Sequence, residues 1–453
     1  MSGPLRLLPG EGGSLPALPR QRNGPRARPS WAADPIDELA ERLMEPVSAA
    51  VHPYEVAALL ESDGLTGDQI GTRYGRPGLF ALATDLYARV PRHYPEPPPA
   101  ADPWRPDHLR CAVRGLVFAL PGLAYVLGSG LLGGEGAVTA LVAAGLVAWA
   151  WNQALSHRAY LRLGTAGAAA AGRTLRLGAP AGALTASLAG LLLAGPGQAG
   201  AFAAGQSCYL GAATVLLVLG RERTLLVALL PVAGGAVATL WWQPPAAAAV
   251  VPLLATVVLA ILAAAHGVRA ALRSGPAAGG AAPGLLVSLP YGLFGLAAGV
   301  LAMLTGAADP YAVVVLTLSM GFAEWLLYRY RGLAVAALRA STAPRDFRLR
   351  AARALAVCLG AYAALLAAGA LLTGTGPAPL LGLGAVLWTA LLLQAFGVAW
   401  PPAAVCLAAA AAEAAAPAAG LATGLAQPLC RTVAALVLLY LAGRILGRPT
   451  AHR

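Results

Sequence analysis

The sequence predicts an all-α, polytopic membrane protein with about 12 transmembrane helices in two six-helix halves, preceded by a small helical cytoplasmic module. Three observations carry that reading. Only 11% of residues are charged while 58% are hydrophobic, whereas soluble domains carry about 25% charged residues. Beyond residue 111, apolar stretches follow one another at lengths close to the roughly 20 residues needed to cross about 30 Å of hydrocarbon. The arginines between those stretches occupy alternate connections only. A water-soluble fold is excluded. The apolar excess consists of Ala, Leu, Val and 54 Gly rather than aromatics, and small residues let helices approach closely where lipid supplies no hydrophobic drive between them.

Taken in order, residues 1–33 combine Pro and Gly with Arg6, Arg20, Arg22, Arg26 and Arg28 and lack apolar periodicity, the composition of a disordered tail. The stretch from Pro4 to Pro9 is too short and too broken to be a signal-peptide core, so the first span is expected to direct insertion. Residues 34–92 read as a small helical module. Asp34 is a capping residue before Pro35, and Ile36, Leu39, Ala40 and Leu43 recur at helical spacing. Further helices are expected over about Pro53 to Glu61, Gly67 to Tyr74 and Leu79 to Arg89, with turns at Asp63-Gly64 and Arg76-Pro77-Gly78. Residues 93–110 form a stiff Pro-rich linker.

Residues 111–280 and 281–453 are the two transmembrane halves. Expected spans are 115–132, 136–155, 179–195, 199–219, 224–242 and 246–265 in the first, then 284–304, 310–328, 354–373, 378–396, 399–416 and 424–443 in the second. Even-numbered connections hold Arg158, Arg162, Arg173 and Arg176, then Arg221 and Arg223, then Arg269 and Arg273, then Arg329 through Arg353; the tail adds Arg444, Arg448 and Arg453. Odd connections hold acids such as Glu135 and Asp309 and no arginine. By the positive-inside rule both termini are cytoplasmic, in a multi-pass protein of the cell membrane. Trp241 and Trp242 at an outer edge and Trp149 and Trp151 near an inner one fit interfacial belts.

The net charge of +12 comes from 32 basic residues, all Arg, that act here as topology signals. Cys111, Cys208, Cys358, Cys406 and Cys430 are scattered without a CxxC pair, which points to neither a disulfide framework nor a metal site. No cofactor and no catalytic residue is expected. The run from Gly64 to Gly75, followed by Leu79-Phe80, superficially has the form of a helix-turn-helix. However, Arg-Pro-Gly at 76–78 breaks the second helix, and residues 34–92 hold ten acids against five arginines, the wrong sign to face phosphate. Nucleic acid is therefore not an expected partner. The module is read as a contact for a cytoplasmic protein.

A weak internal repeat accompanies the spans. Gly115-Leu-Val-Phe-Ala-Leu-Pro121 can be laid on Gly284-Leu-Leu-Val-Ser-Leu-Pro290, and the second span of each half ends in aromatics and arginine (Trp151 to Arg158; Trp325 to Arg331) before a basic connector. Six spans per half orient both halves alike, which is a parallel repeat whose halves rock against each other for alternating access. Pro121 and Pro290 are the expected hinges of the leading helices.

The strings Leu132-Gly133-Gly134-Glu135-Gly136 and Gln153-Ala-Leu-Ser-His-Arg158-Ala-Tyr-Leu-Arg162, ending Gly172-Arg173-Thr-Leu-Arg176, carry a family resemblance. The first half resembles the polysaccharide and lipid-linked oligosaccharide flippases of the multidrug/oligosaccharidyl-lipid/polysaccharide exporter superfamily. The resemblance covers about 70 residues, and the N-terminal module departs from the family's pattern. It implies an exporter of lipid-linked or polymeric saccharide for the cell envelope, with membrane lipids and that saccharide as partners.

Five residues are candidates for the substrate pathway. Arg431 lies inside the last span, where an arginine costs at least about 2.5–3.5 kcal/mol unless it faces a cavity or a partner. It is open whether it donates to an anionic head group or pairs with Glu413 on the preceding span. Glu324, near the inner end of the eighth span, either gates the mouth or carries a proton, or it pairs with a connector arginine. Gln206 and Tyr209 give the fourth span a polar band that either lines a pathway or bonds a neighbouring helix. Three other functions stay open: a small-solute secondary transporter, a polyprenyl-sugar glycosyltransferase or polymerase, and a non-transporting scaffold for envelope assembly. The first would want more buried acids, and the second would want acids in outer loops that are short here.

Overall fold

In a computed structural model the described residues are 35–93, 106–133, 136–242, 245–275, 284–420 and 423–452. The chain forms two compact units, Met1–Ala101 and Asp102–Arg453. Among the described residues every regular element is a helix. The expected tail, the Asp34 cap, most of the Pro-rich linker and Glu135 lie outside the described residues.

The first unit contains α1 (Pro35–Arg42), α2 (Met44–Ala49), α3 (Pro53–Ser62), α4 (Gly67–Tyr74) and α5 (Leu79–Arg89). Its boundaries follow local chemistry. His52 accepts the Tyr54 N–H at the start of α3. Thr66 and Gln69 form a reciprocal capping box on α4, which stops at Gly75 with φ +62°. The sequence reading missed α2 because Pro46 reads as a breaker. That proline stands in the first turn, where its lost N–H has no intrahelical partner to lose. Leu39, Val56, Leu60, Ile70, Leu82 and Leu86 form the core. A 2.5 Å bond from Arg89 Nη1 to the buried Asp37 ties α5 to α1.

Nine helices of the second unit are long and apolar enough, among the described residues, to cross a membrane. The first, His108–Leu127, comprises α6 (His108–Ala119), a 3-10 turn at Leu120–Gly122 and α7 (Leu123–Leu127). Next come α8 (Ala137–Ala194), α9 (Gln198–Val218) and α12 (Ala246–Arg273), with α10 (Glu222–Ala228) and α11 (Leu230–Ala238) between the last two. Then follow α13 (Leu289–Ala308), α14 (Pro310–Ala340), α15 (Pro344–Thr373), α16 (Pro377–Ala395), the shorter α17 (Trp400–Ala415) and α18 (Thr423–Leu446).

The connectors expected at 159–178 and 332–353 are helical almost throughout, since Ala, Leu and Arg are all good helix formers. The 58 residues of α8 are nevertheless two arms, because Ala166 and Gly167 leave helical geometry and Gly167 takes φ +75°. The arms fold back on each other. Trp151 Nε1 donates to the Gly178 carbonyl at 2.8 Å, and a β-carbon on Gly190 would meet that of Ala144 at 3.2 Å.

Proline acts differently at the two expected hinges. Pro121 interrupts the first span as a 3-10 turn. Pro290 stands in the first turn of α13, where it breaks no ladder and starts a helix instead of kinking one. An unexpected break separates α10 from α11 at Leu229, just before Pro231. There the Val232 N–H is bonded by Thr256 Oγ1 of α12 at 3.1 Å.

Two main apolar cores fill the unit. One draws only on residues between Val117 and Val268, the other only on residues between Phe294 and Leu446. Helices from the two stretches meet at glycine crossings, α6 against α14 and α8 against α13. Gly115 lies against Gly321, while Gly292 and Gly295 lie against the Ala150 and Trp149 carbonyls.

Candidate functional site

Charged side chains concentrate where α6 crosses α14. Arg114, the seventh residue of the span His108–Leu127, donates through Nη1 to Glu324 Oε1. Its Nε lies 3.9 Å from Glu222 Oε1 and has no hydrogen-bond partner. Arg110, one helical turn earlier, bonds the same Glu222 oxygen through Nε at 3.0 Å and Nη2 at 2.9 Å. Two arginines and two carboxylates thus share one site, with Glu222 and Arg114 largely shielded from solvent. Such mutual neutralisation lets four charges sit among apolar helices.

Aromatic contacts extend this junction on both sides. Trp325 Nε1 donates to His108 Nδ1 at 3.0 Å. At the other crossing, the His157 ring stacks on Tyr291 with centroids 3.6 Å apart, and His157 Nδ1 lies 3.0 Å from Ser288 Oγ. Both groups lie toward the helix ends that carry Arg110, Arg158 and Arg329. The polar bonds between the two stretches of chain therefore gather at the arginine-rich end.

Glu324 pairs, but with an arginine of the first span instead of a connector arginine. The sequence reading missed Arg114, Arg110 and Glu222. One signal was available: Glu222 is a lone acid between Arg221 and Arg223, and Arg114 directly adjoins the expected span 115–132, where an arginine requires a partner.

Arg431 and Glu413 stand elsewhere and face each other. Arg431 Nε and Nη2 bond Glu413 Oε1 and Oε2 at 3.0 and 2.8 Å, and Nη1 bonds the Pro379 carbonyl at 3.0 Å. The side chains are 1% and 0% exposed. Gly382 gives Arg431 its room, since a β-carbon there would lie 3.3 Å from Arg431 Cβ. Of the two sequence readings, the pairing geometry is the one formed.

The remaining candidates meet in a third place. Pro121, Gln206 and Tyr209 all line a cavity of about 280 Å³ enclosed by the helices of residues 121–257. Gln206 also reaches out of α9, with Nε2 donating to the Leu141 carbonyl at 3.3 Å. Arg431, Glu413, Glu324 and Pro290 are not part of that cavity. Among the described residues, no three metal-binding side chains gather.

Set beside known protein families, curated proteins and solved structures, the chain matches none of them.

Proposed function

We propose that the chain is a membrane transporter, a flippase-type exporter that moves lipid-linked or polymeric saccharide outward by alternating access between two six-span halves. Counting α8 as two arms and adding α10–α11 and α17 to the nine long helices gives twelve crossings. The observation that carries the reading is the pattern of helix pairing. Span one meets span eight (α6 with α14), and span seven meets span two (α13 with α8), as a two-fold relation between halves requires. Equivalent pairs recur inside each half: α6 with α10 and α13 with α17, then α9 with α12 and α16 with α18.

On this reading the arginine-rich end is cytoplasmic, and the Arg110–Arg114–Glu222–Glu324 cluster closes it. Breaking the Arg114–Glu324 pair together with a stack and a Trp–His bond, then remaking them, is the two-state event that alternating access needs. The absence of covalent chemistry in such a cycle fits a junction made of ion pairs and ring contacts. The cargo proposed is the one that the resemblance in the first half implies.

The test uses the full-length protein in liposomes with a polyprenyl-diphosphate oligosaccharide bearing a fluorescent sugar. An impermeant quencher reports how fast the label changes leaflet. Transfer faster than in protein-free vesicles, and slowed by a thiol cross-link between Cys residues placed at 108 and 325, is the expected result. Equal rates with folded protein would remove the flippase reading.

A further inference from the structure

We infer that the cavity within the first stretch of helices is a binding site for an uncharged amphiphile, an aliphatic or isoprenoid chain carrying a hydroxyl, taken up laterally from the bilayer. This rests on the chain lying in a membrane and not on the transport reading.

The site is built from two local departures from regular helix and one missing side chain. The 3-10 turn at Pro121 and the break before Pro231 hold neighbouring backbones apart. On α9, Gly205 presents no side chain, and a β-carbon added there would meet nothing within 4 Å. Phe202, Gly205, Gln206 and Tyr209 recur three or four residues apart, so one face of α9 forms the wall. The volume of about 280 Å³ equals roughly nine water-sized groups at about 30 Å³ each, the bulk of a medium-length chain.

The lining defines the ligand's chemistry. It contains no charged residue, so a charged head group would be desolvated there without a counter-ion. Tyr209 lines the cavity with a buried side chain, and Gln206, on the same wall, carries a buried Oε1 with no hydrogen-bond partner. Buried polar side-chain atoms ordinarily find a partner. The Thr256 hydroxyl already accepts the Val232 N–H. Gln206 Oε1 and Tyr209 in a mostly apolar space select a hydroxyl-bearing chain over a pure hydrocarbon.

The rim defines the route. Tyr125 and Leu254 line the cavity and are 44% and 59% exposed. Around them Val126, Val251 and Val258 are exposed as well. In a membrane this apolar surface faces acyl chains, so the entrance opens to lipid.

The test photolabels the full-length protein in nanodiscs with octanol carrying a mid-chain diazirine, and in parallel with the matching diazirine octane. Adducts are mapped by peptide mass spectrometry. Octanol adducts should concentrate on the α9 face and on α12 near Thr256. Gly205→Leu, which fills the space, should reduce them about tenfold, the equivalent of about 1.4 kcal/mol of binding. Tyr209→Phe should reduce octanol labelling and leave octane labelling unchanged. If Gly205→Leu does not fold, Ala201→Leu fills the same cavity and carries the same expectation. Adducts spread evenly over the lipid-facing helices, or unchanged by the filling variant, would overturn the site. Equal labelling by octane and octanol, insensitive to Tyr209→Phe, would overturn the ligand class.

Discussion

Gly115 and Gly321 cross so closely that a β-carbon on Gly321 would lie 2.6 Å from the Cys111 carbonyl oxygen and 2.9 Å from Gly115 Cα. Both obstacles are backbone. Gly321→Ala should therefore push α6 away from α14, at the about 1–3 kcal/mol typical of overpacking. Gly205→Ala meets open space and should instead gain up to about 1 kcal/mol from helix propensity. Thermal aggregation of the detergent-solubilised variants compares the two directly. Equal melting of both would contradict the crossing.

The ion pair at the same crossing should control access to Cys111, which is buried beside it. Glu324→Gln keeps the shape of the side chain but removes the charge that Arg114 needs. With the other four cysteines replaced, an impermeant maleimide should label Cys111 faster in this variant than in the parent. The effect is expected from inverted vesicles, where the proposed orientation exposes the arginine-rich end. An unchanged rate would show that the pair does not hold the junction.

For Arg431 and Glu413 the sign of the double mutant decides. Removing either partner leaves a buried charge without its counterpart, worth about 3–5 kcal/mol of stability. Arg431→Met combined with Glu413→Leu should recover most of that loss. Thermal melts of the two singles and the double, measured alongside saccharide export, separate structure from mechanism. A stable Arg431→Met single variant that fails to export would instead make the residue part of the pathway.

The first unit should fold by itself as residues 35–93, giving helical circular dichroism and a cooperative melt. Thr66→Ala removes one arm of the capping box and should cost about 1 kcal/mol. A non-cooperative melt of the parent fragment would show that its core is insufficient alone.

Topology follows from the arginines. Reporters inserted at 197, 309 and 375 should be extracytoplasmic, and those at 167, 220, 342 and 397 cytoplasmic. Reversal at any two of these would break the twelve-span count.

What the sequence made legible was local. Tyr74 and Arg89 end α4 and α5 where the periodicity and the following turns place them. The apolar stretches became helices because length and hydropathy suffice for that inference. The bend at Ala166–Gly167 was not readable, since Ala-rich helix continues on both sides and one glycine alone costs only about 1 kcal/mol. Nor was the pairing of Arg114 with Glu324, which lie 210 residues apart with no period linking them. Nor was it readable that Gly115 and Gly292 each stand at a helix crossing whereas Gly284, with which Gly115 aligns by neighbouring proline, meets nothing.

Each of the two apolar cores is assembled from one uninterrupted stretch of chain, the first complete by Val268 and the second starting at Phe294. During synthesis the earlier core therefore has all its parts before the later one leaves the ribosome. A gene cut between the codons for 275 and 284 separates neither core from any of its own residues. Two polypeptides made from such a split gene can each close their own interior, leaving the glycine crossings, the Arg114–Glu324 pair, the Trp325–His108 bond and the His157–Tyr291 stack to be formed between them in the bilayer.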